Sequence, residues 1–133
     1  RNPYTVFEST RSFFTNTIQP LKLEDIAPEQ LEANILSIYA KLYRKYQADK
    51  GCIPAGNLIE VKFEDFEADA LGKTEEIYRT LSLPGWDEAR TAIEQYVGSK
   101  RGYKKNKYKY EPRTVELVEK NWGFALEDWG YSL

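Results

Sequence analysis

The densest run of chemically competent side chains lies between Ser99 and Tyr110, where the chain reads Ser-Lys-Arg-Gly-Tyr-Lys-Lys-Asn-Lys-Tyr-Lys-Tyr. Six cations, Lys100, Arg101, Lys104, Lys105, Lys107 and Lys109, stand there without an acid. Like charges at this density repel one another, so the segment is either a solvated loop or a groove whose charge is neutralised by an anion. For an arbitrary Lys-rich run the solvated loop is the simpler reading, because lysine is seldom buried and costs little on a surface. The interleaved Tyr103, Tyr108 and Tyr110 favour the other. Aromatic rings beside cations suit a planar, phosphorylated ligand, a nucleotide or a nucleic-acid strand, since the rings stack on a base while the cations hold phosphates. On these residues alone both readings stay open.

The remaining candidates are weaker. Cys52 has no neighbouring His to activate it and no second cysteine to pair with, so a neutral thiol is expected. With no His in the chain, the usual Cys/His zinc arrangements are excluded. Glu60, Glu64, Asp65, Glu67 and Asp69 are numerous, but their spacing matches no loop of alternating oxygen ligands; a solvated strand end is expected there, and no metal. Arg1 and Ser9 carry no signal by themselves.

The chain has 133 residues, with 41% hydrophobic and 14% aromatic content, enough for one packed domain. Without the six cations of the basic stretch, 13 Lys and Arg face 21 Asp and Glu, so the patch sits on an acidic body. No apolar run approaches the roughly 20 residues that cross a bilayer, and no signal-peptide pattern is present, so a soluble, cytoplasmic protein is expected.

Several elements position these residues. Pro3 suits the first turn of a helix that runs to about Phe14 and draws apolar contacts from Val6, Phe7, Phe13 and Phe14. After an irregular stretch around Pro20, Pro28 opens the clearest helix, in which Leu31, Ile35, Ile38 and Leu42 form a stripe expected to face the core. Leu58 to Phe63 alternates as a strand, with Ile59, Val61 and Phe63 on one face. Helices follow at Ala70 to Leu81, with Gly72 weakening its start, and at Trp86 to Val97, stopped by Gly98. Pro112 starts the last helix, whose apolar face includes Val118, Trp122 and Leu126, with Gly123 and Gly130 as interruptions.

Taken in order, these pieces resemble the C-terminal half of the sulfotransferases that use 3′-phosphoadenosine 5′-phosphosulfate (PAPS), nearer to the bacterial than to the animal cytosolic type. Arg1-Asn2-Pro3 with Ser9 is similar to the family's element for the 3′-phosphate. Leu58 to Phe66 resembles its strand and Tyr/Phe-Glu-Asp-Leu/Phe segment, and the helix ending Leu81-Ser82-Leu83-Pro84 follows in place. Ser99-Lys100-Arg101-Gly102, then Lys105-Asn106-Lys107-Tyr108, resembles the basic-basic-Gly element and its Lys-Asn-aromatic sequel. Between Gly102 and Lys105 stand only Tyr103 and Lys104, where the family pattern carries extra residues.

The resemblance implies an α/β fold: a mostly helical portion of a P-loop-NTPase-like sulfotransferase domain with a short parallel-sheet strand, the whole chain being the C-terminal part of one domain. It implies PAPS as co-substrate and a hydroxyl or amine acceptor of unknown identity. Arg1, Ser9, Lys100, Arg101 and the Gly102 N–H are the implied ligands of the 3′-phosphate. The phosphosulfate loop, its Lys and the usual His base have no counterpart in this chain, so no catalytic residue is assigned and the isolated chain is expected to be inactive. The alternative is a nucleic-acid-binding module that grips a single strand with residues 99–110; the acidic body and a sequence pI near 5.3 argue against it. A helical interaction domain with an incidental Lys-rich loop is the third reading.

Overall fold

Three of the main helices begin on prolines, whose missing N–H is not required in a first turn. The computed structural model describes residues 1–18, 21, 23–100 and 108–133. Helix α1 spans Pro3–Ser12, and Asn2 caps it by accepting the Tyr4 N–H at 2.9 Å. It runs on into one π-helical stretch, Phe13–Thr17. Helix α2 covers Pro28–Asp49 with Glu29 at its positive end, and a 3-10 turn follows at Lys50–Cys52. Helices α3 (Phe63–Ala68), α4 (Ala70–Thr80), α5 (Trp86–Ser99) and α6 (Pro112–Trp129) complete the order. None of the helices among the described residues is long and apolar enough to cross a membrane.

The expected α/β class is not what the chain forms: among the described residues there are helices and turns and no strand. Residues 58–62 lie outside any helix or ladder, and Phe63, assigned to the strand face, instead opens α3. Alternation makes a segment compatible with a strand, yet a strand is held by ladder hydrogen bonds from a neighbour, and no partner segment is present among the described residues. Glu64 and Asp65 then favour a helix start by meeting its positive end. The acids expected at a strand end have structural duties: Asp69 Oδ1 accepts the Gly72 N–H at 2.9 Å as the α4 cap, and Glu60 meets Lys50 at 3.4 Å. A Cβ on Gly72 would stand 2.1 Å from the Asp69 carboxylate, so this glycine admits the cap rather than weakening the helix.

The chain divides into two compact units, Arg1–Asp49 with Tyr108–Leu133, and Lys50–Lys107. In the second, α4 packs against α3 and α5, with Tyr78 and Trp86 rings 5.3 Å apart. Ser82 adopts a left-handed conformation (φ 51°), which lets the Leu83 N–H reach the Tyr78 carbonyl at 2.8 Å and ends α4 before Pro84. Helix α5 passes through Gly98, the expected stop, and ends one residue later; the Lys100 N–H closes it onto the Val97 carbonyl at 3.1 Å.

In the first unit α1, α2 and α6 enclose Tyr4, Phe7, Ile35, Leu36, Val118, Trp122 and Leu126. The stripe expected to lie in the core is split: Ile35 is buried, whereas Ile38 and Leu42 are 56% and 66% exposed and line an open apolar groove with Phe14 and Ile26. The π-helical stretch and the groove together account for the exposure of Phe13 and Phe14, which were expected inside. Gly130 ends α6 in the left-handed conformation (φ 59°), but the break within the helix falls at Trp122 (φ −126°, ψ 18°) rather than at Gly123. Trp122 is wholly buried, donates from Nε1 to the Leu36 carbonyl at 2.9 Å and stacks on Tyr39 at 3.9 Å between ring centres.

Replacing Trp122 by Ala should therefore cost about 3–5 kcal/mol. Trp122→Phe, which keeps most of the apolar area and loses the hydrogen bond, should cost about 1–2 kcal/mol. Urea denaturation of the two variants and the parent measures both, and equal losses would place the energy in the hydrogen bond alone.

Candidate functional site

Lys100 stands just past the end of α5, and its ammonium lies 5.2 Å from the centre of the Tyr96 ring one turn earlier. Both residues line a cavity of about 610 Å³ whose walls also include Phe63, Phe66, Ala70 and Val97. Helix α3 contributes the two phenylalanines because the segment coils at Phe63 and turns residues 63 and 66 to one side. Glu67 is the acid in the wall. The cavity is mostly aromatic and apolar with a cation at its edge, a chemistry that accepts a flat ring system carrying an anionic group.

The other expected phosphate ligands are placed differently. Arg1 and Ser9 belong to the first unit; Arg1 is exposed ahead of the Asn2 cap, and Ser9 is half-buried on α1. Arg101 and Gly102 lie outside the described residues, as do Tyr103, Lys104, Lys105, Asn106 and Lys107. Of the tyrosines interleaved with the cations, Tyr110 is committed to the fold: its hydroxyl and the Thr5 Oγ1 are 2.6 Å apart and its ring lies 5.5 Å from Tyr4.

The sequence reading missed the polar cluster that holds α1 in place. Glu8 and Glu32 are buried among the helices of the first unit. Arg11 bridges them, donating to Glu8 Oε2 at 2.7 Å and to Glu32 Oε1 at 3.0 Å. Arg113 grips both oxygens of Glu32, at 2.9 and 2.5 Å, in the bidentate geometry of strong guanidinium–carboxylate pairs. Thr114, also buried, donates to Glu8 Oε1 at 2.8 Å. The Arg113 hydrogen bonds hold Glu32 below its usual carboxylate range, against a burial that acts the other way, with Arg11 adding to the lowering. The available signal was an acid flanked by Phe7 and Ser9 on the apolar side of α1; Glu32, an acid near the start of α2, gave none.

At the other end of α2, Tyr43 donates to Asp128 Oδ2 at 2.9 Å and accepts from Gln47 Nε2 at 2.7 Å. Burial and the Asp128 carboxylate push this phenol up to about 12, so it remains a donor at any ordinary pH. Among the described residues no three His, Cys, Asp or Glu side chains converge as a metal site.

The sequence model described as "Sulfotransferase family" matches residues 1–88. The chain is also similar to the omega-hydroxy-beta-dihydromenaquinone-9 sulfotransferases of Mycobacterium bovis and Mycobacterium tuberculosis, each 25% identical over 131 residues. The matched region is 98% of this chain and 34% of each relative, so the chain spans about a third of their length. No solved structure matches it.

The carboxylate cluster sets an acid limit on stability. Because Glu32 is lowered in the folded state, its pairing contributes fully above its ordinary value of 4.5 and is lost as the pH falls through the lower folded value. Glu32→Gln should be less stable than the parent at neutral pH and show a flatter decline in acid, read from melting temperatures between pH 7 and 3. Glu8→Ala, which leaves the buried Thr114 hydroxyl without its acceptor, should cost about 1–3 kcal/mol in the same assay.

Proposed function

The chain belongs to the sulfotransferase family, and on that premise we propose that the protein transfers a sulfuryl group from PAPS to an acceptor hydroxyl, with this chain supplying the part that binds the 3′-phosphate and nucleoside of the donor. The observation that carries the reading is the position of Lys100. A residue that the family resemblance assigns to the 3′-phosphate stands at the edge of an aromatic cavity of about 610 Å³, a volume within the range of nucleotide-sized pockets. Phe63, Phe66 and Tyr96 offer faces and edges for the adenine, and Lys100 offers charge where the ribose phosphate leaves it.

The family resemblance assigns four further ligands to the same phosphate. Arg1 supplies a permanently charged fork, Ser9 a hydroxyl, Arg101 a second fork and Gly102 a backbone N–H. The 3′-phosphate does not react, so binding energy gathered there orients the distant phosphosulfate and lowers the entropic part of the barrier. In the transfer the acceptor oxygen forms a new S–O bond while the S–O bond to the 5′-phosphate breaks, and the acceptor proton leaves to a general base, for which no residue is assigned. Of the two acceptor classes, the names of the mycobacterial relatives favour a hydroxyl over an amine. The chain acts as part of a longer sulfotransferase domain, and alone it is catalytically silent.

Calorimetric titration of adenosine 3′,5′-bisphosphate into the full-length protein at physiological salt tests these assignments. Arg101→Ala should lose a charge-assisted contact, about 1.5–3 kcal/mol or roughly 10–150-fold in affinity. Lys100→Ala should weaken binding in the same direction, and Phe63→Ala should weaken the bisphosphate and adenosine 5′-phosphate alike. Lys109→Ala, an exposed charge beyond the matched residues, should change little. Equal small losses at Arg101, Lys105, Lys107 and Lys109 would instead describe a diffuse basic surface, as for a nucleic-acid module, and the donor-site assignment would be withdrawn.

A further inference from the structure

A second basic site lies in the first unit, between the middle of α2 and α6. Ser37, Lys41 and Arg44 recur at i, i+4 and i+7 and so share one face of α2. Across from them α6 presents Lys120 and Asn121, and together with small residues such as Ala40 they line a cavity of about 480 Å³. Arg11, Lys45 and Arg113 of this unit are paired with acids, but among the described residues Lys41, Arg44 and Lys120 make no ion pair. Glu116, one turn before Lys120 and at the spacing of a helical pair, makes none with it.

The donors around this cavity are numerous and poorly matched by acceptors. Arg44 sets its guanidinium 5.3 Å from the Phe124 ring centre, a contact with a ring that offers its N–H donors no carboxylate. Asn121 spends one amide hydrogen on the Leu117 carbonyl at 2.8 Å and keeps another. Three cations about one cavity raise each other's energy until an anion enters, and the small residues leave room for one. We propose that this cradle binds the phosphate or sulfate group of a small ester or of a lipid headgroup, separately from the donor nucleotide.

The probe is inorganic pyrophosphate, titrated calorimetrically into the full-length protein at physiological ionic strength with adenosine 3′,5′-bisphosphate present in excess, so that the donor site does not contribute. One saturable site is expected. Lys41→Gln and Lys120→Gln should each weaken it by about fivefold or more, and Arg44→Lys, which retains the charge but not the fork, by less. Arg79→Gln, an exposed cation on α4, should leave it unchanged. Absence of saturable binding, or an equal loss in Arg79→Gln, overturns the proposal. Sedimentation with phosphatidylglycerol vesicles separates the two sources: binding that pyrophosphate competes away and the same variants abolish identifies a headgroup, and pyrophosphate binding without sedimentation identifies a soluble ester. Bisphosphate affinity in the cradle variants should match the parent, so this site stands or falls independently of the donor site.

Discussion

Trp122 is where the first unit is tied together. Its indole meets Phe7 of α1 edge-on at 5.8 Å, stacks on Tyr39 of α2 and donates to the backbone of α2 at Leu36. One side chain thus fixes the distance and the rotation of two helices against a third. The local conformation of α6 yields to this requirement: Trp122 leaves helical geometry, and the helix resumes after it. A buried indole without an acceptor would lose the desolvation energy of its N–H, so the Leu36 carbonyl is part of the packing rather than an addition to it.

The carboxylate cluster is the polar counterpart of that contact. Glu8 and Glu32 are withdrawn from water, which is tolerable only because each accepts from at least two donors. Arg11 touches both acids, so α1 cannot turn about its axis without breaking charge-assisted bonds to α2. The orientation of α1 in turn determines where the Asn2 cap, Arg1 and Ser9 stand. Ser9, a phosphate ligand only by proposal, therefore takes its position from the residues that hold α1.

The cations of the chain divide by the company they keep. Arg11 and Arg113 are consumed by buried acids, and Lys45, Lys73 and Arg79 by acids on their own helices. Arg11 also stands over the Phe7 ring, but Lys100 and Arg44 rest on rings, Tyr96 and Phe124, with no ion pair among the described residues, each beside a cavity in its own unit. A ring holds a cation loosely and offers it no negative oxygen, so the charge remains available to an incoming anion. Each of the two proposed anion sites contains one such pairing.

The sequence by itself determined what is decided within a few residues. Pro3, Pro28 and Pro112 mark helix starts, Ser82 to Pro84 marks a stop, and the family is legible in short motifs, because capping, proline geometry and short motifs depend on neighbours along the chain. It misjudged whatever depends on neighbours in space. Alternation at Ile59, Val61 and Phe63 was compatible with a strand, but with no partner among the described residues the segment forms none and α3 starts at Phe63. Ile38 and Leu42 continued the stripe of α2, but which part of a broad stripe is covered depends on where α1 and α6 cross it, and those crossings are set by Trp122 and the Glu8–Arg11–Glu32–Arg113 cluster. The cluster joins residues more than 100 positions apart, and the cavity beside Lys100 joins two helices separated by a third. Burial, ion pairing and cavities are properties of surfaces meeting, and tertiary structure alone brings those surfaces together.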